Sequence, residues 1–280
     1  QNAEKWLQYG KNGGFRPLYV ALLMGIRYNE NNKVEESHED IIIVDNNSPN
    51  NSEKELRKNA HKGYIFIESG TNKGYAAGNN IGLKYAYEHG YDYAWILNND
   101  ILIDDNLLLK KMIEVFEKDD FIAVVNPDIY SPDGHMFNRD SKKPTLFDYT
   151  VGINYYRKKG RMVNNLGGYA YVYRPQGCCM VVDLKKINEV DYMDEYTFLY
   201  YEEPILAERL LMKKYRCACC LEAKVIHDHS RTVRSVLKKG KIIKTQNNSF
   251  KYYLKKYRKF NMLAVKLCEI FNVFKLTILE

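Results

Sequence analysis

No stretch of this sequence is apolar for long enough to cross a membrane. Its longest nearly unbroken run, residues 18–26, is about half of the ~20 residues that a spanning helix needs. Proline is scarce, at 7 in 280 residues, while 28% charged and 45% hydrophobic residues exclude both low-complexity disorder and a fibrous repeat. The 6 cysteines offer a single C-x2-C spacing, Cys217 and Cys220, with no second pair to complete a zinc site. Cys178, Cys179, Cys217, Cys219, Cys220 and Cys268 are therefore expected as buried structural thiols, since free cysteine behaves as a small hydrophobe. Residues 1–10 lack the charged, apolar, small-residue order of a signal peptide. These absences predict a cytoplasmic chain in which the sequons at Asn46, Asn50 and Asn247 carry nothing.

Two phosphate-binding signatures are also missing. Without G-x4-G-K-[ST] or G-x-G-x-x-G, neither a P-loop NTPase nor a dinucleotide-dependent dehydrogenase is supported. The length is enough for one large or two small domains with a substantial core. With no linker and no internal repeat, the simplest division is a domain over residues 1–230 and a C-terminal extension over 231–280.

The charge is unevenly placed. Residues 231–259 hold eleven Lys or Arg and no acid, so a net +7 overall leaves −4 on the rest. A basic block beside a mildly acidic body suits a local anionic partner such as phosphates or lipid headgroups, not a general nucleic-acid coat. Directly after it, residues 260–279 are rich in Leu, Ile, Val, Phe and Met, with most of these on a broad helical face. That helix reads equally as lying on an anionic membrane surface or as packing on the core or on a second subunit, which would give a homodimer.

Apolar runs and polar breaks alternate along the first half. Residues 41–44 and 93–97 read as buried strands and residues 64–68 as a strand, with helices over 52–62, 79–88 and 107–117. Strands are also expected at 123–126 and 178–182, and a helix at 205–214. The alternation predicts a largely parallel α/β sheet, whose ligands would sit beyond the carboxyl ends of its strands.

Two polar motifs fall in such places, Asp45-Asn46-Asn47-Ser48 and Asn98-Asn99-Asp100. Asn98-Asn99-Asp100 follows a buried strand, where a carboxylate can serve a hard divalent cation and a diphosphate, or simply make a turn. Gly70 to Asn80 is a glycine-bearing loop opening a helix, which lets backbone N–H groups approach a nucleotide or merely starts the helix on a small-residue face. Tyr200-Tyr201-Glu202-Glu203 sets two carboxylates before a helix. They suit general-base work on a sugar hydroxyl, and equally complement the helix macrodipole.

Taken in order, Ile41-Ile42-Ile43-Val44-Asp45-Asn46-Asn47-Ser48, Asn72-Lys73-Gly74-Tyr75-Ala76-Ala77-Gly78-Asn79-Asn80, Leu97-Asn98-Asn99-Asp100, Gln176-Gly177-Cys178-Cys179-Met180 and Met193-Asp194-Glu195 leading to Tyr201-Glu202-Glu203 resemble bacterial family 2 glycosyltransferases of rhamnosyl- and galactosyltransferase type. The likeness runs over residues 41–230. It implies the A-type glycosyltransferase fold, a Rossmann-like, mostly parallel sheet flanked by helices, here with a C-terminal helical extension. It also implies inverting transfer of a sugar from a nucleotide-diphosphate donor. The basic block and apolar tail point to a lipid-linked or growing surface glycan of the capsule or O-antigen kind as acceptor, with no nucleic acid involved. By the same resemblance Asp45 holds the nucleobase or ribose region, and Asn72, Gly74, Asn79, Asn99 and Gly177 line the donor site. Asp100 matches the last acid of the metal motif for Mn²⁺ or Mg²⁺, and His227 matches a histidine that completes the metal or diphosphate site. Glu203 matches the catalytic base, with Glu202 as its understudy.

Three departures accompany the likeness. Asn98 stands where the motif has its first acid, and Ile205 where a further acid is frequent. Both favour a rival reading, a noncatalytic nucleotide-sugar-binding or scaffold protein of the same fold. A sugar nucleotidyltransferase would want a glycine-rich N-terminal loop with basic residues, and Gly13-Gly14 is too little. The third departure is length. If residues 15–26 and Tyr28-Asn29 form the first strand and its end, residues 30–40 are short for a parallel crossover of about a dozen or more residues.

Overall fold

The computed structural model describes residues 20–28, 39–49, 52–60, 63–152, 162–228 and 239–278. Asn29, the sequon at Asn50, Gly13-Gly14 and the basic residues Arg231, Arg234 and Lys238 lie outside the described residues. Nine strands form one sheet: β1 Val20–Ile26, β2 Glu39–Asp45, β3 Tyr64–Glu68, β4 Tyr93–Leu97, β5 Ile101–Leu102, β6 Ile122–Tyr130, β7 Tyr169–Val172, β8 Cys179–Asp183 and β9 Arg216–His227. Seven helices accompany them among the described residues: α1 Ser52–Asn59, α2 Tyr75–Glu88, α3 Leu108–Lys118, α4 Leu184–Glu189, α5 Glu202–Met212, α6 Lys239–Lys256 and α7 Met262–Ile278. The spatial order is β3-β2-β1-β4-β8-β6-β9-β5, with β7 also on β9.

Period-two alternation explains why the apolar runs are strands. In β2, Ile41 and Ile43 enter one core and Ile42 and Val44 the other; in β4, Trp95 and Leu97 oppose Ala94 and Ile96. The first core is closed by α3 through Leu108, Met112, Ile113 and Phe116. The second is closed by Leu83 and Ala86 of α2, Ile187 of α4, and Leu206 and Leu210 of α5. A fully buried aliphatic side chain contributes about 1.5–3 kcal/mol, so four consecutive ones on β2 anchor the edge that carries Asp45.

Strand direction differs from the sequence reading. β2, β3, β4, β6 and β9 point one way, but β1, β5, β7 and β8 oppose them, so a majority direction is interleaved with antiparallel partners. The α/β class and the helix-flanked sheet stand; the sheet itself is mixed. The reversal of β1 resolves the short connection. Ile26 pairs with Glu39 and Val20 with Asp45, so the two strands are antiparallel and the length that a parallel crossover requires does not apply.

All six cysteines are free and buried. Cys217 and Cys219 enter one core while Cys220 enters the other, because residues three apart on a strand face opposite ways. The C-x2-C spacing therefore cannot converge on one ion.

A third, smaller core joins the C-terminal helices to the rest: Phe250, Tyr253 and Leu254 of α6 and Val265 and Cys268 of α7 pack with Ile205 of α5. Polar ties reinforce it. Buried Glu208 accepts from Tyr173 Oη at 2.6 Å and Lys143 Nζ at 2.6 Å, and Tyr173 Oη lies 2.7 Å from Tyr253 Oη. Burial alone would raise the Asp194 carboxyl, but hydrogen bonds from Tyr257, Tyr252, the Tyr196 N–H and Lys256 outweigh it and hold the group at about 2. No helix among the described residues is long and apolar enough to cross a membrane.

Candidate functional site

The carboxyl ends of β2, β4 and β9 and the start of β8 lie at one edge of the sheet, and the predicted residues gather there. Asp45 ends β2, is 2% exposed and accepts the Ser48 N–H at 3.2 Å through Oδ2, while its Oδ1 is buried without a hydrogen-bond partner. Asn46, which the sequence reading left without a role, is the clasp. Its Nδ2 donates to Gly74 O at 2.9 Å and to Asn72 Oδ1 at 3.3 Å. Asn72 Oδ1 in turn accepts the Gly74 N–H at 3.0 Å. Asn72 thus shapes the loop, and Asn79, one turn into α2, donates to Tyr75 O while its buried Oδ1 has no partner.

Gly74 cannot be another residue. Its φ is +102°, and a Cβ there would lie 2.1 Å from Phe198 O. Gly74→Ala is expected to lower stability by about 2–4 kcal/mol, read as a fall in the urea midpoint at unchanged slope. The close approach brings the segment before Glu203 against the loop, and Phe198 O accepts the Tyr75 N–H at 3.0 Å.

The Asn98-Asn99-Asp100 turn leads from β4 into β5, and Ile101 of β5 pairs with His227 at the end of β9. That ladder sets His227 Nε2 3.0 Å from Asp100 Oδ1. Asp100 Oδ1 is buried and makes no aligned hydrogen bond despite that approach. Asn99 is exposed at the turn.

Both glutamates lie in the first turn of α5. The two preceding tyrosines, Tyr200 and Tyr201, have φ of +71° and +69°, an uncommon conformation for bulky side chains. It is held from behind by α6: Tyr201 stacks on Phe250 at 5.0 Å, and Ser249 Oγ donates to Leu199 O at 2.8 Å. The environments of the two acids then diverge. Glu202 is 5% exposed with Oε1 unpartnered, and burial, followed by the neighbouring Glu203 charge, pushes its carboxyl up to about 8. Glu203 is more open; the Gly177 N–H donates to its Oε1 at 3.3 Å, and Arg174 Nη1 lies 3.8 Å from Oε2.

The Gly177-Cys178 segment connects the two halves. On one side Gly177 donates to Glu203; on the other Cys178 O accepts the Asn98 N–H at 2.8 Å. Gly177 O also accepts from Tyr75 Oη at 2.6 Å. Burial raises the Cys178 thiol well above its usual range, and Cys179, Glu203 and Asp100 add to the rise, so both acids bear on one sulfur. Tyr75 and Cys178 lie within sequence motifs and Arg174 just before one, and the sequence offers no further signal for a role of any of the three.

Asp100 and His227 supply one carboxylate oxygen and one imidazole nitrogen at one point, a donor pair that suits a divalent cation. No third His, Cys, Asp or Glu joins them among the described residues. The pair therefore fits a cation shared with phosphate oxygens and water, not an all-protein cage. A cavity of about 700 Å³ lined by Asn80, Asp194, Lys84, Arg209 and Lys256 lies elsewhere and includes none of these residues.

Comparison with known proteins bears on the family and the fold. The sequence profile of Glycosyl transferase family 2 matches residues 28–182. The low-salt glycan biosynthesis hexosyltransferase Agl10 of Haloferax volcanii is 24% identical over 196 residues, covering 68% of this chain and 59% of that protein. The mannosyltransferase PcManGT of Pyrobaculum calidifontis, solved with GDP-Man and Mn²⁺, superposes with a TM-score of 0.51 at 12% identity, over 85% of this chain and 60% of that one. The likeness is one of fold, and the chain spans about three-fifths of the length of each.

Proposed function

Because this chain belongs to glycosyl transferase family 2, we propose that it moves a sugar from a nucleotide-diphosphate donor to a lipid-linked or growing surface glycan, with inversion at the anomeric carbon. The observation that carries the reading is the Gly177-Cys178 segment, hydrogen-bonded to Glu203 on one flank and to the Asn98-Asn99-Asp100 turn on the other. That link supports a reading in which one carboxylate serves an alcohol and the other a diphosphate.

In this reading Asp45, Asn72, Gly74, Asn79, Asn99 and Gly177 surround the nucleotide. Glu203 takes the proton of the acceptor hydroxyl as that oxygen attacks the anomeric carbon and the nucleoside diphosphate departs. The Gly177 N–H and Arg174 fix its orientation, while Glu202, held neutral by burial, avoids a second charge beside it. Asp100 and His227 would hold Mn²⁺ or Mg²⁺, which when bound offsets negative charge on the diphosphate.

A panel of nucleotide sugars, each with and without Mn²⁺, tests the assignment by thermal shift. A true donor is expected to raise Tm by about 5 °C or more at saturation, and Asp100→Asn is expected to remove the Mn²⁺-dependent part. No shift with any donor would overturn the reading. Donor binding without hydrolysis or transfer would instead favour the noncatalytic alternative, to which Asn98 in place of an acid lends support.

A further inference from the structure

Among the described residues, the hairpin of α6 and α7 buries its inner face and exposes its outer one. On α7 the inner face buries Val265 and Cys268, while Leu263, Leu267, Ile270 and Phe274 are 81%, 42%, 56% and 63% exposed. These four recur at i, i+4, i+7 and i+11 and so form one stripe, on the far side of the helix from its buried residues. On α6, Lys241, Lys244, Lys251 and Lys255 recur at i, i+3, i+10 and i+14, on the face away from buried Phe250, Tyr253 and Leu254. The two helices are clasped where Asn247 Nδ2 donates to Glu269 Oε1 at 2.9 Å and Lys251 Nζ lies 3.3 Å from the same oxygen. The cationic stripe thus borders the apolar one along the hairpin.

We propose that this face docks the protein on an anionic lipid surface, with the Leu263, Leu267, Ile270 and Phe274 side chains entering the headgroup boundary and the lysines facing lipid phosphates. Charge decides the occupant. Residues 239–278 hold ten Lys or Arg against the single acid Glu269. Lys256 and Arg258 are committed inward, to Asp194 and Glu208. Among the described residues no acid pairs with Lys241, Lys244, Lys255 or Lys259, all exposed. A second copy would bring two such basic segments together. Its seam would also span under two heptads, short of the about three to four that a coiled coil sustains. An anionic membrane instead attracts each exposed lysine and accepts the apolar stripe.

The inference does not depend on which sugar is transferred, and its test reads binding without turnover. The 280-residue chain is floated with vesicles of phosphatidylcholine alone or of phosphatidylcholine with phosphatidylglycerol. Binding is expected only to the second kind, weakening as salt is raised. Lys241→Gln/Lys244→Gln/Lys255→Gln is expected to lower the partition about 100-fold, and Leu267→Ser/Phe274→Ser to lower it at unchanged circular dichroism. Absence of binding, equal binding to both vesicles, or variants that bind like the parent would overturn the proposal. So would a stable dimer in sedimentation that Leu267→Ser/Phe274→Ser dissolves. Should a variant fail to fold, the lipid and salt dependence of the parent chain alone decides.

Discussion

Glu203→Gln is expected to reduce kcat by about 10²–10⁴-fold while leaving donor-induced thermal stabilisation in place. The amide preserves shape and can still meet the Gly177 N–H, which donates to Oε1 at 3.3 Å, but it cannot take up a proton. Binding and chemistry separate in this variant because, in the proposed reading, the nucleotide contacts Asp45 and Gly74. A purely structural role for Glu203 predicts a different pattern, with lowered stability and kcat restored once folding is secured. Turnover of Glu203→Gln within about tenfold of the parent, in protein of parental Tm, would remove the base from this residue.

The second large effect concerns stability. Glu202 titrates near 8 in the folded protein against 4.5 for an ordinary glutamate, because burial disfavours its charge and Glu203 opposes it. A carboxyl raised on folding binds more protons in the native than in the unfolded state between those values. The contribution of Glu202 to stability is therefore highest below about 4.5, falls as pH rises toward 8, and levels off above it. The loss from this one group is at most about 5 kcal/mol. Glu202→Gln is expected to abolish that slope and to make the protein more stable than its parent at alkaline pH, with activity retained at neutral pH. Urea midpoints at several pH values measure it; a variant whose midpoints follow the same slope would show that Glu202 is charged in the native protein.

The two glutamates also show how far the sequence reaches. Their adjacency before a helix was legible, but their division into a buried neutral acid and a more open carboxylate depends on α6. That helix stacks Phe250 behind Tyr201 and fixes the left-handed turn. Asn46 was visible only as part of a polar turn; its clasp on Gly74 needs a loop from beyond α1 and β3 to return to β2. Arg174 belongs to no sequence motif and reaches Glu203 only through the packing of β8 against β4 and β6.

Local pattern was enough to fix which segments are strand interiors, where the polar turns fall and the order of the motifs, because hydrophobic period and turn chemistry act over a few residues. Direction and partnership were not local. That β1 runs against β2, that His227 meets Asp100, that Gly177 donates to Glu203, and that α7 buries Val265 and Cys268 all follow from long-range strand pairing and burial. The free energy of such contacts depends on surfaces remote in the chain, so no window of sequence records it.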